Sequence, residues 1–130
     1  MKQPMILIML NHQKSADSLC CCLQMEYPNF RCSKTTKFLG LSIVWNNLNV
    51  KLAITDVGKN QKELKNWYSK IKGLNDKTKI LFTSNNLNDE ELVSDLINTE
   101  NPNKVDFLMM AETTPTIGEI KTKITKLLNM

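Results

Sequence analysis

The chain offers no apolar run able to cross a bilayer: Met5 to Leu10 is the first uninterrupted one, and a spanning helix needs about 20 residues. Its start lacks the basic, apolar and small-residue succession of a secretory leader. A cytoplasmic address and no membrane partner are therefore expected. Arginine and histidine are nearly missing, with only Arg31 among the 17 basic Lys and Arg residues and only His12 among the histidines. Lys is the poorer residue for forked contacts to guanine or phosphate, and here it is spread from Lys2 to Lys126, so a nucleic-acid partner is not indicated. Aromatics are 6% of the chain, and Trp45, Trp67 and Tyr68 recur at helical spacing, as core residues do, rather than as a base-stacking platform.

Cysteine is present but unevenly placed, at Cys20, Cys21, Cys22 and Cys32. Neighbouring helical residues point about 100° apart, so the consecutive three neither converge on a metal nor make a disulfide framework. Reduced thiols are expected. The rest of the composition is that of a folded globular protein, 42% apolar and 23% charged with a net charge of +4. A length of 130 residues suits a single domain, 1–130, with one core of ordinary size.

Along the chain, apolar runs of strand length alternate with stretches of helical period, the pattern of a parallel sheet covered on both faces. Met5 to Leu10 reads as the first strand, followed by a helix that Ser15 can cap, whose stripe of Ala16, Leu19, Cys20, Leu23 and Tyr27 ends at Pro28. Phe30 to Ser33 reads as a weaker, edge strand, and Thr36 to Asn47 as a second helix in which Gly40 is a flaw. The third strand starts at Val50 and ends at Asp56; its helix begins near Asn60, buries Leu64, Trp67, Tyr68 and Ile71, and stops at Gly73.

Lys79 to Thr83 is the fourth strand, and Asn88 caps a fourth helix with acids Asp89, Glu90 and Glu91 in its first turn and Leu92, Val93, Leu96 and Ile97 on its apolar face. Val105 to Met109 is the fifth strand, and Thr114-Pro115 opens a last helix carrying Ile117, Ile120, Ile124, Leu127 and Leu128. The fold expected is a doubly wound α/β domain of the flavodoxin-like kind, with five parallel strands in order 2-1-3-4-5 and helices on both faces. Open parallel sheets place their ligands at the carboxyl ends of the strands, where the first and third meet. Asp56 stands there, facing Leu10, Asn11 and His12.

With these features in place, the chain resembles the receiver domain of two-component response regulators over nearly all its length. The resemblance rests on the apolar first strand, the strand ending in Asp56, the hydroxyls of Phe82-Thr83-Ser84 and the final hydrophobic helix. It implies a phosphoryl switch in which Asp56 is the phosphoacceptor and Thr83 the supporting hydroxyl. A metal would be held by Asp56 and the main-chain carbonyl of Gly58. The family's remaining groups are missing. Its acidic pair after the first strand is replaced by Leu10-Asn11-His12, and its Lys-Pro after the fifth by Met110-Ala111, with no Lys between Val105 and Ile120.

Mg²⁺ needs several hard oxygen ligands, so one carboxylate beside an amide holds it weakly, and no other cofactor is expected. Without the Lys, a phosphate on Asp56 lacks its ammonium partner. The expectation is a degenerate receiver, not an enzyme, that signals through protein contacts, with Asn11, His12 and Thr83 as polar pocket residues. By the resemblance, the partner surface lies about the fifth strand, where Met109, Met110 and Ala111 form an apolar patch. The partner would be a histidine kinase, an output protein or a second copy, and with no output domain after Met130 the chain would act as an adaptor or homodimer. Two alternatives stay open: an atypical receiver still phosphorylated on Asp56, and a small flavodoxin-like cofactor binder using Ser15 and the helix N-terminus to hold an anion.

Overall fold

Strands that are apolar on both sides need cover on both sides, and helices with a single apolar stripe supply it. A computed structural model of the chain has this arrangement and describes residues 3–10, 13–36, 39–40, 42–43, 49–57, 61–74, 77–84, 89–99, 105–109 and 117–129. In chain order the elements are β1 (Met5–Met9), α1 (Gln13–Glu26), β2 (Arg31–Lys34), β3 (Val50–Asp56), α2 (Gln61–Leu74), β4 (Lys79–Ser84), α3 (Asp89–Thr99), β5 (Val105–Met109) and α4 (Ile117–Leu128). Between β2 and β3, residues 39, 40, 42 and 43 are helical. The later part of the helix predicted there, and the Asn88 cap and Thr114-Pro115 opening, lie outside the described residues.

The five strands form one parallel sheet in the order β2-β1-β3-β4-β5, as the alternation of the sequence implies. Alternate strand residues serve opposite layers. Leu7, Met9, Ala53, Ile80 and Phe82 pack with Leu64, Tyr68 and Ile71 of α2 and Val93 and Leu96 of α3. On the other face Ile6, Ile8, Leu52, Ile54 and Leu81 pack with Leu19 and Leu23 of α1 and Ile120, Ile124 and Leu127 of α4. Those ten strand residues are fully buried, and each large one contributes roughly 1.5–3 kcal/mol of transfer free energy.

A register shift modifies the alternation at the start of β3. Met5 pairs with Val50 but Ile6 with Leu52, so Lys51 is an extra residue and turns out to solvent. This lets Val50 and Leu52, two apart, serve opposite cores.

Four local expectations change. α1 begins at Gln13, which puts Ser15 inside the first turn instead of at the cap. Thr36 is the cap of the next helical stretch rather than part of it: its Oγ1 accepts the Leu39 N–H at 3.2 Å and its carbonyl the Gly40 N–H at 2.8 Å. Gly40 is a fit, not a flaw, because a Cβ there would lie 2.7 Å from Cγ of Met9 and closer to its Sδ. α2 ends at Leu74, so Gly73 belongs to its last turn.

β2 is the edge strand, as its mixed burial suggests, and α1 closes its outer side. The Gln24 amide donates to the Phe30 carbonyl at 2.8 Å and accepts the Cys32 N–H at 3.0 Å, standing in for a neighbouring strand.

Candidate functional site

The site is built at the carboxyl ends of β3 and β4, and the alternation of β3 determines which way its last residues face. Thr55 is fully buried on the α2 side, where its Oγ1 accepts the Trp67 indole N–H at 2.9 Å. Val57 is 3% exposed and packs into the same core. With the residues before and after it committed to the α2 and α3 layer, Asp56 shares the face of Leu52 and Ile54, half-buried at the rim of the sheet.

Thr83 is the direct register partner of Asp56, and Thr55 that of Met9, which brings Leu10 level with Asp56 on the other side. The carboxylate and hydroxyl predicted from sequence thus share one rung and, by parity with Ile54 and Leu81, one face. Adjacent strands lie about 4.8 Å apart, within reach of two short polar side chains around a common ligand. Thr83 is 3% exposed and Leu10 9%, so this rung is flanked by one nearly buried hydroxyl and one apolar side chain.

Ser84 follows Thr83 but faces the opposite layer, where its hydroxyl donates to a carboxylate oxygen of Asp89 at the start of α3. Sequence reasoning read Asp89 only as a favourable first-turn charge and missed this pair. It also read Trp67 as a plain core aromatic and missed its bond to Thr55. Nothing in residue spacing alone signals either contact.

Two other acids near the sheet are paired with lysines. Asp17, the nearest acid after β1, forms an ion pair with Lys34 of β2. Lys123 of α4 pairs with Asp106 of β5 at 3.2 Å. Thr83 is level with Leu108, two residues beyond Asp106, so this pair is displaced along the strands from the Asp56 rung by about 7 Å. Lys123 therefore does not take the place of a cation at the end of β5.

Among the described residues, no group of three or more His, Cys, Asp and Glu is placed to hold a metal ion. Among the described residues, the Asp56 carboxylate and the buried Leu10 level with it do not supply the several oxygen ligands Mg²⁺ requires. Asn11, His12, Gly58, Met110 and Ala111 lie outside the described residues. Met109 ends β5 with its main chain in register with Ser84. The four cysteines are free thiols, Cys21 and Cys22 exposed and Cys20 and Cys32 half-buried. No described helix is long and apolar enough to cross a membrane.

Neither a protein-family model nor a curated protein matches the sequence. Solved structures do match the fold. A response regulator from Thermotoga maritima superposes with a TM-score of 0.78 at 13% identity, covering 99% of this chain and 100% of that one. An adenylate cyclase from Rhodopirellula baltica gives 0.69 at 12% identity, over 98% of this chain and 88% of the other. A response regulator receiver protein from Pseudomonas putida gives 0.64 at 14% identity, over 97% and 98%. At such identities the likeness is one of fold: this chain has the five-stranded receiver architecture.

Proposed function

We propose that the chain is a receiver-like signalling module, a single domain over 1–130, that acts through protein contacts and without standard Mg²⁺-dependent aspartyl phosphorylation. The observation that carries this reading is the composition of the Asp56 rung. Asp56 and Thr83 are in register, as a phosphoacceptor and its hydroxyl would be, while the level position on β1 is Leu10 and the nearest following acid, Asp17, is tied to Lys34. The frame of a phosphoryl site is retained, while the sequence has Asn11-His12 and Met110 where the resembled family has its acids and its Lys.

In this reading the partner is a protein, either a kinase, an output protein or a second copy, and the contact surface includes Met109, Met110 and Ala111. The module is a binding protein rather than an enzyme, and it works in the cytoplasm.

The shared rung of Asp56 and Thr83 also favours one second reading, in which a partner kinase phosphorylates Asp56 directly. There the carboxylate oxygen attacks phosphorus, the phosphoryl bond to the donor breaks, and Thr83 donates its hydroxyl to a phosphoryl oxygen.

The test is intact mass after incubation with acetyl phosphate and Mg²⁺, beside an Asp56→Asn control. An unlabelled chain is the expected result. Stoichiometric, Mg²⁺-dependent labelling that the control loses would overturn the first reading, and a phosphoryl group on Asp56 in protein taken from its own cell would establish the second.

A further inference from the structure

We propose that Cys20 and Cys32 form a dithiol modification site that a low-molecular-weight disulfide oxidises to an intramolecular Cys20–Cys32 bond. The site is independent of the Asp56 reading and lies at the β2 edge of the sheet, where α1 covers that strand. The Cys20 thiol donates to the main-chain carbonyl of Cys32 at 3.5 Å, so its sulfur already touches the residue that carries the other thiol. Both are half-buried against the same apolar cluster as Leu19, Leu23 and Phe30.

Gln24, one helical turn beyond Cys20, holds this alignment. Its amide brackets Cys32 by binding the Phe30 carbonyl at 2.8 Å and the Cys32 N–H at 3.0 Å. The Asp17 to Lys34 ion pair joins the same two elements one turn earlier on the helix. Cys21 and Cys22, by contrast, are exposed.

The two thiols have unequal roles. Burial pushes both above the ordinary range; at Cys20 the Lys34 ammonium opposes the rise and the Cys21 and Asp17 charges add to it, while burial and then the charge of Cys20 take Cys32 to about 11. Cys20 is therefore the attacking group. Its thiolate displaces one thiolate from the external disulfide, forming a mixed disulfide. Cys32 then gives its proton to solvent, attacks the Cys20 sulfur and expels the second thiolate. Two protein thiols and one external disulfide become one protein disulfide and two external thiols, which balances atoms and electrons. The product ties α1 to the edge strand across 12 residues of sequence.

The full chain, equilibrated with oxidised and reduced glutathione in varied ratio and then alkylated, reads the outcome by intact mass and peptide mapping. The expected result is the loss of one hydrogen from each of two thiols, with a Cys20–Cys32 linked peptide dominant. The link should persist in a Cys21→Ser/Cys22→Ser chain, which retains only the proposed pair, and disappear in Cys32→Ser. Glutathione adducts or intermolecular links confined to Cys21 and Cys22, with no Cys20–Cys32 peptide in the native chain, would overturn the proposal. Mapping of the native chain keeps the test valid if either half-buried cysteine variant folds poorly.

Discussion

Replacing Trp67 by Phe removes the indole N–H that reaches the Thr55 hydroxyl at 2.9 Å, and the size of the effect follows from where each partner sits. Thr55 is fully buried, so without the Trp donor its hydroxyl loses a hydrogen bond it cannot replace with water, at about 1–3 kcal/mol. Trp67 is only half-buried, so in Thr55→Val its N–H can turn to solvent and the cost is roughly 0.5–1 kcal/mol. With both replaced, no polar group is stranded. The double variant should therefore be less destabilised than the sum of the singles, by about 1 kcal/mol, or roughly fivefold in the folding equilibrium. Urea unfolding followed by far-ultraviolet circular dichroism reads all four proteins on one scale, since the method does not depend on the indole. Strict additivity would show that the strand end beside Asp56 is not anchored from α2, and would remove the reason given for the direction in which Asp56 faces.

Gly40→Ala should destabilise the fold by about 1–3 kcal/mol in thermal unfolding despite the higher helix propensity of Ala, because the added Cβ meets the buried Met9 side chain. That cost should shrink in a Met9→Ala background, and an unchanged cost there would place the strain elsewhere. Gln24→Ala should lose about 1 kcal/mol and open the outer side of β2, read as new concentration-dependent association in sedimentation experiments. Cys32 is a neutral thiol held up to about 11 from 9.0 by burial and by the charge of Cys20, so the folded state keeps a proton that the unfolded state loses. Its contribution to stability is complete below pH 9 and falls as pH rises through 11; Cys32→Val should flatten that alkaline fall, and an identical pH profile in the variant would contradict the assignment.

The layout of the sheet was legible because its inner strands carry apolar runs: stretches such as Met5 to Leu10 leave no solvent face, as in a parallel sheet between two helical layers. Asp56 was legible for a related reason, as the one carboxylate that closes a buried run. What spacing could not supply is register. Asp56 and Thr83 could each be placed at a strand end, but their direct pairing depends on how β3 slides against β4, and the bulge at Lys51 that separates Val50 from Leu52 leaves no mark in the alternation.

Contacts between distant elements were equally hidden. Ser15 and Thr36 are both good cap residues by type, and only the path of the main chain decides that Thr36 caps while Ser15 lies within the helix. Gly40 was misread because helix propensity counts the missing side chain as a cost, whereas close approach to Met9 requires it to be missing. The pairs Trp67 with Thr55, Ser84 with Asp89 and Cys20 with Cys32 join residues whose types suit many roles, and the fold selects one.

The most direct test of the central claim compares the native chain with one in which Asn11→Asp, His12→Asp and Met110→Lys restore the absent charges, both incubated with acetyl phosphate and Mg²⁺ and weighed intact. If the frame is retained and only charge compensation is missing, the native chain stays unlabelled and the restored chain gains one phosphoryl group that Asp56→Asn abolishes. Equal, stoichiometric labelling of the native chain on Asp56 would contradict the account.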